Sequence, residues 1–326
     1  MKNKALKSLL IAIAIFSLEG SLPVRAQAPA WPSQPIRLMV PFSAGGGADN
    51  AARIVGRKLG ERLGQPVVIE NRPGAGGVIA ESALAQALPD GYTMLYDSFA
   101  LAVNATRRNL SFDPRTDLVP VTSTATAETV LVANPRLPVR TVKELVAYAK
   151  ANPGKVSYAS AGVGSVAHLS GEMLASDNGL NLLHVPYKGG GQAITDLMGG
   201  QVDIYFAAPT STLASIKGGK LRALAVTSPE RADYLPELPT MVELGYPDFV
   251  METWHGLFVP RGTPPEILSR IDRETQAVLA DPEVQKLMRA SGLTPRISDQ
   301  PTFARFVDAQ ITRWSRFLKD RDIQID

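Results

Sequence analysis

Two segments of this chain share one pattern, in which a short β-type run is followed by a loop of small residues and then by a helix start. The first is Ile36–Val40 followed by residues 41–49, PFSAGGGAD, and the second is 156–159 followed by residues 160–165, SAGVGS. Glycines let the main chain approach a ligand closely, and a helix start offers unpaired N–H groups with a partial positive charge. The two segments predict two anion-binding loops that hold one negatively charged solute between two lobes.

Strands and helices alternate along most of the chain, which favours α/β lobes built on mostly parallel sheets with helices on both faces. The predicted strands are 36–40, 67–70, 92–96, 130–133, 156–159, 182–185, 202–206, 221–226 and 254–259. The predicted helices are 48–63, 78–88, 165–176, 192–198, one from Thr141 to about residue 152, and two that start at Thr263-Pro264 and Asp281-Pro282. Residues 109–120 are rich in polar and turn residues, and we expect them to carry the chain from one lobe to the other.

The last long segment, 303–318, repeats apolar residues at helical spacing. A helix that packs this stripe against the first lobe explains the pattern better than a cofactor site does.

The first 28 residues have the features of a secretory leader. Lysines precede an apolar run at 9–18, which is too short to span a membrane, and Ala26-Gln27-Ala28 forms a small-x-small cleavage site. The formal net charge of +3 belongs entirely to this segment, so the charge gives no argument for nucleic-acid binding. We expect cleavage after Ala28 and a periplasmic location.

Several kinds of catalytic or cofactor site are absent from the sequence. The first loop lacks the Gly-Lys-Ser/Thr ending of a nucleotide P-loop, and the Gly-x-Gly-x-x-Ala of residues 162–167 lacks an acidic partner after the next strand. There is no cysteine, no His-Glu-x-x-His and no Gly-x-Ser-x-Gly. We therefore expect no cofactor, no metal site and no catalytic residues.

Some individual residues leave two interpretations open. Asp49 can cap a helix or contact the ligand, and Asp203, inside an apolar strand, needs either protein donors or a polar ligand group. Tyr187 and Lys188 add a hydrogen-bonding ring and a cation to a Gly-rich loop, which favours a position near the ligand. His168 has a core or hydrogen-bonded position as its default, and residues 71–77 form either a connection or a ligand loop.

Motifs over essentially the whole mature chain resemble the Bug family, the extracytoplasmic solute receptors of tripartite tricarboxylate transporters. In order they are WPxxP at 31–35, PFSAGGGAD at 41–49, NRPGAGG at 71–77, YASAGVGS at 158–165, HLSGE at 168–172, VPYKGG at 185–190, GGQVD at 199–203, LRALAVTS at 221–228 and WHGLFVPRGTP at 254–264. In combination these motifs are highly specific, although most of them are not specific singly.

The resemblance implies a two-lobed periplasmic binding protein of type II that closes on its solute like a flytrap. The expected lobes are 29–124 with 225–326, and 125–224. The resemblance also implies a small carboxylate ligand, mono-, di- or tricarboxylic or a related amide or amino acid, held by main-chain N–H groups and bridging waters. The expected ligand-binding residues are Phe42, Ser43, Ala44, Gly45, Gly46, Gly47, Asp49, Ser98, Ser160, Gly162, Gly164, Ser165, His168, Tyr187 and Asp203.

The expected function is that of a non-catalytic, monomeric receptor that delivers its carboxylate to two integral-membrane subunits of a tripartite transporter. One alternative is an exported sensor that presents its closed form to a signalling protein. Another is an exported hydrolase in which Ser43 or Ser165 attacks with the help of His168 and backbone N–H groups form an oxyanion hole.

Overall fold

A computed structural model of the chain describes residues 31–321 and 323–325. The described residues from Gln34 onward form one compact unit. The expected leader and its cleavage site lie outside the described residues. Within the described part of the chain, no helix is both long enough and apolar enough to cross a membrane.

The strands fall into two sheets. In chain order the strands are β1 (Ile36–Val40), β2 (Val67–Asn71), β3 (Thr93–Ser98), β4 (Leu118–Glu128), β5 (Val130–Ala133), β6 (Ser157–Ser160), β7 (Leu183–Pro186), β8 (Ile204–Ala207), β9 (Arg222–Val226), β10 (Glu252–Pro260) and β11 (Thr294–Pro295). The first sheet has the order β11-β4-β10-β3-β1-β2, and the second has the order β7-β6-β8-β5-β9.

Both sheets combine a parallel part with antiparallel strands. In the first sheet β1 pairs in parallel with β2 and β3, whereas β10 runs antiparallel to β3 and β4. In the second sheet β6 pairs in parallel with β7 and β8, and β5 runs antiparallel to β8 and β9. The glycine-containing loops follow β1 and β2 in the first sheet and β6 and β7 in the second, so they lie at the carboxyl ends of the parallel strands.

The helices are α1 (Gly47–Leu63), α2 (Val78–Ala85), α3 (Phe99–Asn104), α4 (Val142–Ala151), α5 (Val166–Asn178), α6 (Gly190–Gly199), α7 (Pro209–Lys217), α8 (Pro265–Ala280), α9 (Pro282–Ala290) and α10 (Gln300–Asp320). Two expected caps are confirmed. Thr141 accepts a hydrogen bond from the Glu144 N–H at 3.1 Å, and Asp281 accepts one from the Glu283 N–H at 2.8 Å. Thr263 caps nothing, because its hydroxyl donates to the Pro260 carbonyl and α8 begins after Pro264.

The apolar stripe of α10 is a core face, as its spacing predicts. Phe303, Val307, Ile311, Trp314 and Leu318 are buried. The Trp314 ring meets the Phe99 ring edge-on at 4.5 Å, which packs the helix against α3 of the first sheet's layer. Burial of this stripe holds the C-terminal helix to the body of the protein.

Strand β4 and helix α7 were not expected from the sequence. Strand β4 is rich in Thr and Ser, so it lacks a clear apolar alternation, yet Thr122 and Thr124 are fully buried. Their hydroxyls are satisfied inside the core, because Thr122 donates to the Ser298 carbonyl at 2.8 Å and Thr124 bonds the Tyr96 hydroxyl at 2.8 Å. Because β4 belongs to the first sheet, the connection to the second sheet lies at Thr129 and not within residues 109–120.

Two neighbouring segments connect the sheets. The chain leaves the first sheet at Thr129 and leaves the second after β9 at Thr227. The Thr129 N–H donates to the Thr227 hydroxyl at 2.9 Å, and the Thr227 N–H donates to the Thr129 carbonyl at 2.9 Å. The Thr227 hydroxyl also donates to the Met251 carbonyl at 2.6 Å. These bonds join the two connections side by side, while the expected lobe boundaries at 124/125 and 224/225 stay a prediction.

Candidate ligand-binding site

A cavity lies between the two sheets, at the edge where the parallel strands end. Its volume is about 600 Å³, counting space open to solvent. The first sheet and its helices contribute Phe42, Gly46, Gly47, Ala48, Ser98, Phe99, Ala100, Thr253 and His255, and the second contributes Thr129, Ala161, Ser165, Val166, Ala167, Gly190, Tyr205, Phe206, Ala208 and Ser211.

Two long helices begin at this cavity. Gly47 and Ala48 form the first turn of α1, and Val166 and Ala167 form the first turn of α5. First-turn N–H groups have no partner within their own helix, and the helix dipole places partial positive charge there. The two helix starts, one from each side, therefore form an anion-binding environment made of main chain.

The cavity carries no formal charge of its own. None of its lining residues is Arg, Lys, Asp or Glu. Burial lowers the pKa of His255 to about 4 and raises the pKa of Tyr205, so both side chains are neutral near pH 7. An anion in this cavity would be stabilised by N–H groups, hydroxyls and neutral rings rather than by an ion pair.

The first glycine loop is held in shape by Asp49. Its carboxylate accepts hydrogen bonds from the Gly45 N–H at 3.0 Å, from Arg53 at 2.9 Å and from the Asn71 amide at 2.9 Å. Burial alone would raise the pKa of Asp49, but these hydrogen bonds outweigh it and keep the pKa below its ordinary value. Asp49 does not line the cavity, so the geometry supports its role as a support of the loop.

Two N–H groups of the second glycine loop donate hydrogen bonds to nearby side chains of the protein. The Gly162 N–H donates to the Ser160 hydroxyl at 3.1 Å, and the Gly164 N–H donates to His168 Nδ1 at 3.3 Å. The Ser165 hydroxyl caps α5 by accepting from the His168 N–H at 3.3 Å. Of the expected residues in this segment, Ser165 lines the cavity, whereas Ser160, Gly162, Gly164 and His168 shape the loop behind it.

Two imidazoles in contact, tilted by 33° to one another, support this loop. The rings of His168 and His184 lie 4.4 Å apart, and His184 stacks on Tyr158 at 4.8 Å. His184 Nε2 lies 2.7 Å from the Ser160 hydroxyl. Burial lowers the pKa of both histidines to about 4, so the pair is neutral near pH 7. The hydrogen-bonded interpretation of His168 therefore fits the structure.

Each glycine loop contacts a loop that belongs to the other sheet. The first loop meets residues 188–191, where the Ser43 N–H donates to the Lys188 carbonyl at 3.1 Å. The second loop meets residues 71–77, where a Cβ at Gly76 would lie 2.4 Å from the Val163 carbonyl. Both glycine loops line the cavity. The first loop contacts residues 188–191 of the second sheet's side, and the second loop contacts residues 71–77 of the first sheet's side.

The remaining expected residues occupy different places. Ser98 lines the cavity, and Ser43, Ala44 and Gly45 belong to the loop that contacts residues 188–191. Tyr187 lines a neighbouring pocket with Phe42 and Gly162, and its hydroxyl donates to Asp196 at 2.9 Å.

Asp203 lies away from the cavity, at the amino end of β8, which is the opposite end of the sheet. Its carboxylate accepts from the Ser157 N–H and the Ser157 hydroxyl, both at 2.7 Å. Of the two interpretations left open by the sequence, the structure supports protein donors, and the side chain is half-buried rather than buried.

Five cavity residues with hydrogen-bonding side chains were missed by sequence reasoning: Thr129, Tyr205, Ser211, Thr253 and His255. Tyr205, Thr253 and His255 belong to strands β8 and β10, Thr129 lies between β4 and β5, and Ser211 lies in the first turn of α7. A partial signal was present in the strand 254–259, because side chains alternate across a strand and Thr253 and His255 share one face. The chain crossings at Thr129 and Thr227, which bring these residues together, could not be read from the sequence.

Comparison with known proteins decides the family. The family model of the tripartite tricarboxylate transporter family receptor matches residues 51–323. This chain belongs to that receptor family. The resemblance to Bug proteins is confirmed as well, since protein BugT of Bordetella pertussis is 38% identical over 315 residues, which cover 96% of this chain and 97% of BugT.

Solved structures of related proteins share the fold. The periplasmic binding protein BugD is 37% identical with a TM-score of 0.87, over 90% of this chain and 99% of BugD. Rpa4515 of R. palustris, solved with adipate, is 33% identical with a TM-score of 0.86, over 90% of this chain and 98% of that one. The expected fold class, an α/β periplasmic binding protein, is therefore confirmed.

Proposed function

We propose that this receptor captures a small carboxylate in the periplasm and delivers it to the membrane subunits of a tripartite transporter, without catalysis. The observation that carries the proposal is the meeting of the α1 and α5 starts at one uncharged cavity. Main-chain N–H groups at helix starts are well suited to a carboxylate, which accepts several hydrogen bonds at once. The adipate in the related Rpa4515 structure supports the same ligand class.

The energetics favour a mechanism of closure on the ligand. Each helix start stabilises an anion by about 0.3–1 kcal/mol when exposed, and by up to ~2 kcal/mol when partly buried. Because the two starts belong to opposite sides of the cleft, their contributions add only when both sides reach the ligand. The ligand therefore shifts the protein toward its closed form, which offers the membrane partners a shape to recognise.

The hydrolase alternative gains no support from the hydrogen bonds of its candidate residues. The Ser165 hydroxyl is a helix cap, and His168 directs Nδ1 at the Gly164 N–H. The other nitrogen, Nε2, lies 4.0 Å from the Glu172 carboxylate. His168 therefore serves the loop rather than a serine nucleophile, which favours binding over catalysis.

Native mass spectrometry of the freshly purified protein, followed by titration calorimetry with a panel of carboxylic acids, tests the proposal. We expect a co-purified acid or at least one panel member that binds. If no acid co-purifies and none of the panel binds, the proposed ligand class is wrong. Uptake of the acid by cells that lack the membrane subunits separates transport from signalling.

One pair of variants tests the main-chain donors directly. Val166→Pro removes the first N–H of α5, and the preceding Ser165 already has the extended backbone that proline requires. We expect affinity for the acid to fall about tenfold, as for a lost hydrogen bond to a charged group. Val142→Pro makes the same change at the start of α4, after an equally extended Thr141, and should leave affinity unchanged. Equal affinity in both variants would contradict a role for the α5 start.

A further inference from the structure

The cavity has two chemically different ends, which the strand order separates. The starts of α1 and α5 follow β1 and β6, whereas Thr253 and His255 lie on β10 and Thr129 precedes β5. In each sheet one strand stands between these ends, β3 in the first and β8 in the second. Two strand spacings amount to about 10 Å, so the two ends are separated by roughly the length of an extended chain of several carbons.

His255 is the distinctive residue of the second end. Its side chain is 3% exposed, and within the described residues its Nδ1 is buried without a hydrogen-bond partner. A buried polar atom without a partner costs about 1–3 kcal/mol, and folded proteins rarely leave one so. A ligand atom that hydrogen-bonds Nδ1 would remove this cost.

The backbone directs His255 to the cavity. A register irregularity between His255 and Gly256 interrupts the pairing of β10 with β4, and such irregularities re-aim side chains near binding sites. The neighbouring Trp254 points away, with its ring packed edge-on against Phe303 at 5.9 Å. The imidazole itself stacks on Tyr96 at 5.7 Å, which fixes its plane.

We propose that His255 determines ligand specificity, by hydrogen-bonding an uncharged polar group at the end of the ligand opposite its carboxylate. This inference rests on the proposed function and narrows it to monocarboxylates with a neutral hydrogen-bonding tail, such as an amide or a hydroxyl. A neutral imidazole can serve either kind of group, because one ring nitrogen donates and the other accepts.

A second carboxylate is a poor match for this end of the cavity. The side chains there are two threonine hydroxyls and an imidazole, with no cation among the lining residues. A buried carboxylate without a cation or several donors is strongly disfavoured. Ionised dicarboxylates are therefore expected to bind more weakly than their monoamides.

Three acids with the same six-carbon chain test this inference by calorimetry at pH 7.5: hexanoate, adipate and the monoamide of adipic acid. We expect the monoamide to bind about tenfold more tightly than either of the others. Adipate binding as tightly as the monoamide, or more tightly, would overturn the inference while leaving the proposed function intact. If none of the acids binds and the wider panel also fails, the proposed function falls, and the inference falls with it.

Two nearly isosteric variants separate recognition from packing. Asn places a polar atom close to the position of Nδ1, whereas Leu places a methyl group there. His255→Leu should reduce the ratio of monoamide to hexanoate affinity to near one, and His255→Asn should restore most of the ratio. If both variants weaken both acids by the same factor, His255 has only a structural role and the inference is wrong.

Discussion

The main-chain N–H of Ser43 donates a 3.1 Å hydrogen bond to the carbonyl oxygen of Lys188, joining the loop after β1 to the loop after β7. The contact is tight because glycine follows Lys188. A Cβ at Gly189 would lie 2.4 Å from the Ser43 hydroxyl and 2.6 Å from the Ser43 nitrogen. The two sides of the cleft can therefore meet here only while residue 189 has no side chain.

The Gly189→Ala variant should be unable to close fully. We expect ligand affinity to fall at least tenfold and the radius of gyration with ligand to remain that of the ligand-free protein, as measured by small-angle X-ray scattering. Gly199→Ala is a matched control, since a Cβ there meets nothing within 4 Å. Normal affinity and normal ligand-induced compaction in Gly189→Ala would show that this contact is not needed for closure.

A second prediction concerns two fully buried acids, Glu81, which accepts a hydrogen bond from the Asn104 amide at 2.8 Å, and Asp97, which accepts one from the Ser98 N–H at 2.7 Å. Burial raises the pKa of Asp97 to about 7 and raises that of Glu81 well above its ordinary value. Above about pH 4 the folded protein then holds more protons on this pair than the unfolded chain does. The free energy of unfolding should consequently fall as pH rises from about 4 to 7, by up to about 1.4 kcal/mol per pH unit for each proton.

Asp97→Asn should flatten that slope, because position 97 then no longer titrates. Urea unfolding at several pH values measures the effect. Asp233→Asn, which changes an exposed acid, should keep the wild-type slope. An unchanged slope in Asp97→Asn would mean that the pair does not hold the extra proton.

The third prediction concerns Asp49, whose pKa is held below its ordinary value. A carboxyl with a lowered pKa stabilises the fold above its unfolded-state pKa, near 3.8, and loses that contribution as pH falls through the folded value. Asp49→Asn should lower the free energy of unfolding at pH 7 by about 1–2 kcal/mol, because the Arg53 and Gly45 donors lose a charged acceptor. The difference from wild type should shrink below about pH 3.8, and a constant difference would contradict this assignment.

The fourth prediction concerns close packing between β10 and α10. A Cβ at Gly256 would lie 2.2 Å from the Phe303 ring and 2.9 Å from the Thr122 carbonyl. Gly256→Ala should destabilise the protein by about 1–3 kcal/mol through overpacking. In the double variant with Phe303→Leu the penalty of the alanine should shrink, which a double-mutant cycle of urea unfolding measures. Strictly additive effects would show that the ring is not what excludes a side chain at 256.

Much of the local structure and the family could be predicted from the sequence. Strand–loop–helix units, caps such as Thr141 and Asp281, and the apolar stripe of α10 depend on neighbouring residues, and they form as predicted. Glycine loops before helix starts likewise indicate anion binding wherever they occur. Ordered motifs over the whole chain sufficed to indicate a Bug-type receptor.

The tertiary structure decided which residues share the cavity. The expected role of Asp203 as a ligand residue gained no support. Asp203 lies at the amino end of β8, where its carboxylate bonds Ser157, whereas the cavity lies at the carboxyl ends of the parallel strands. The donors of Gly162 and Gly164 are satisfied by Ser160 and His168, which depends on how the loop folds back.

The position of His255 in the cavity likewise depends on strands that are distant in sequence. Strand β10 returns from the second sheet to pair between β3 and β4, and this pairing brings His255 beside Ser98. Short-range pattern thus determined the helix starts that can bind an anion, whereas long-range strand pairing determined what stands opposite them. The reason is physical: a helix start is made by consecutive residues, but a cavity is made by residues that only folding brings together.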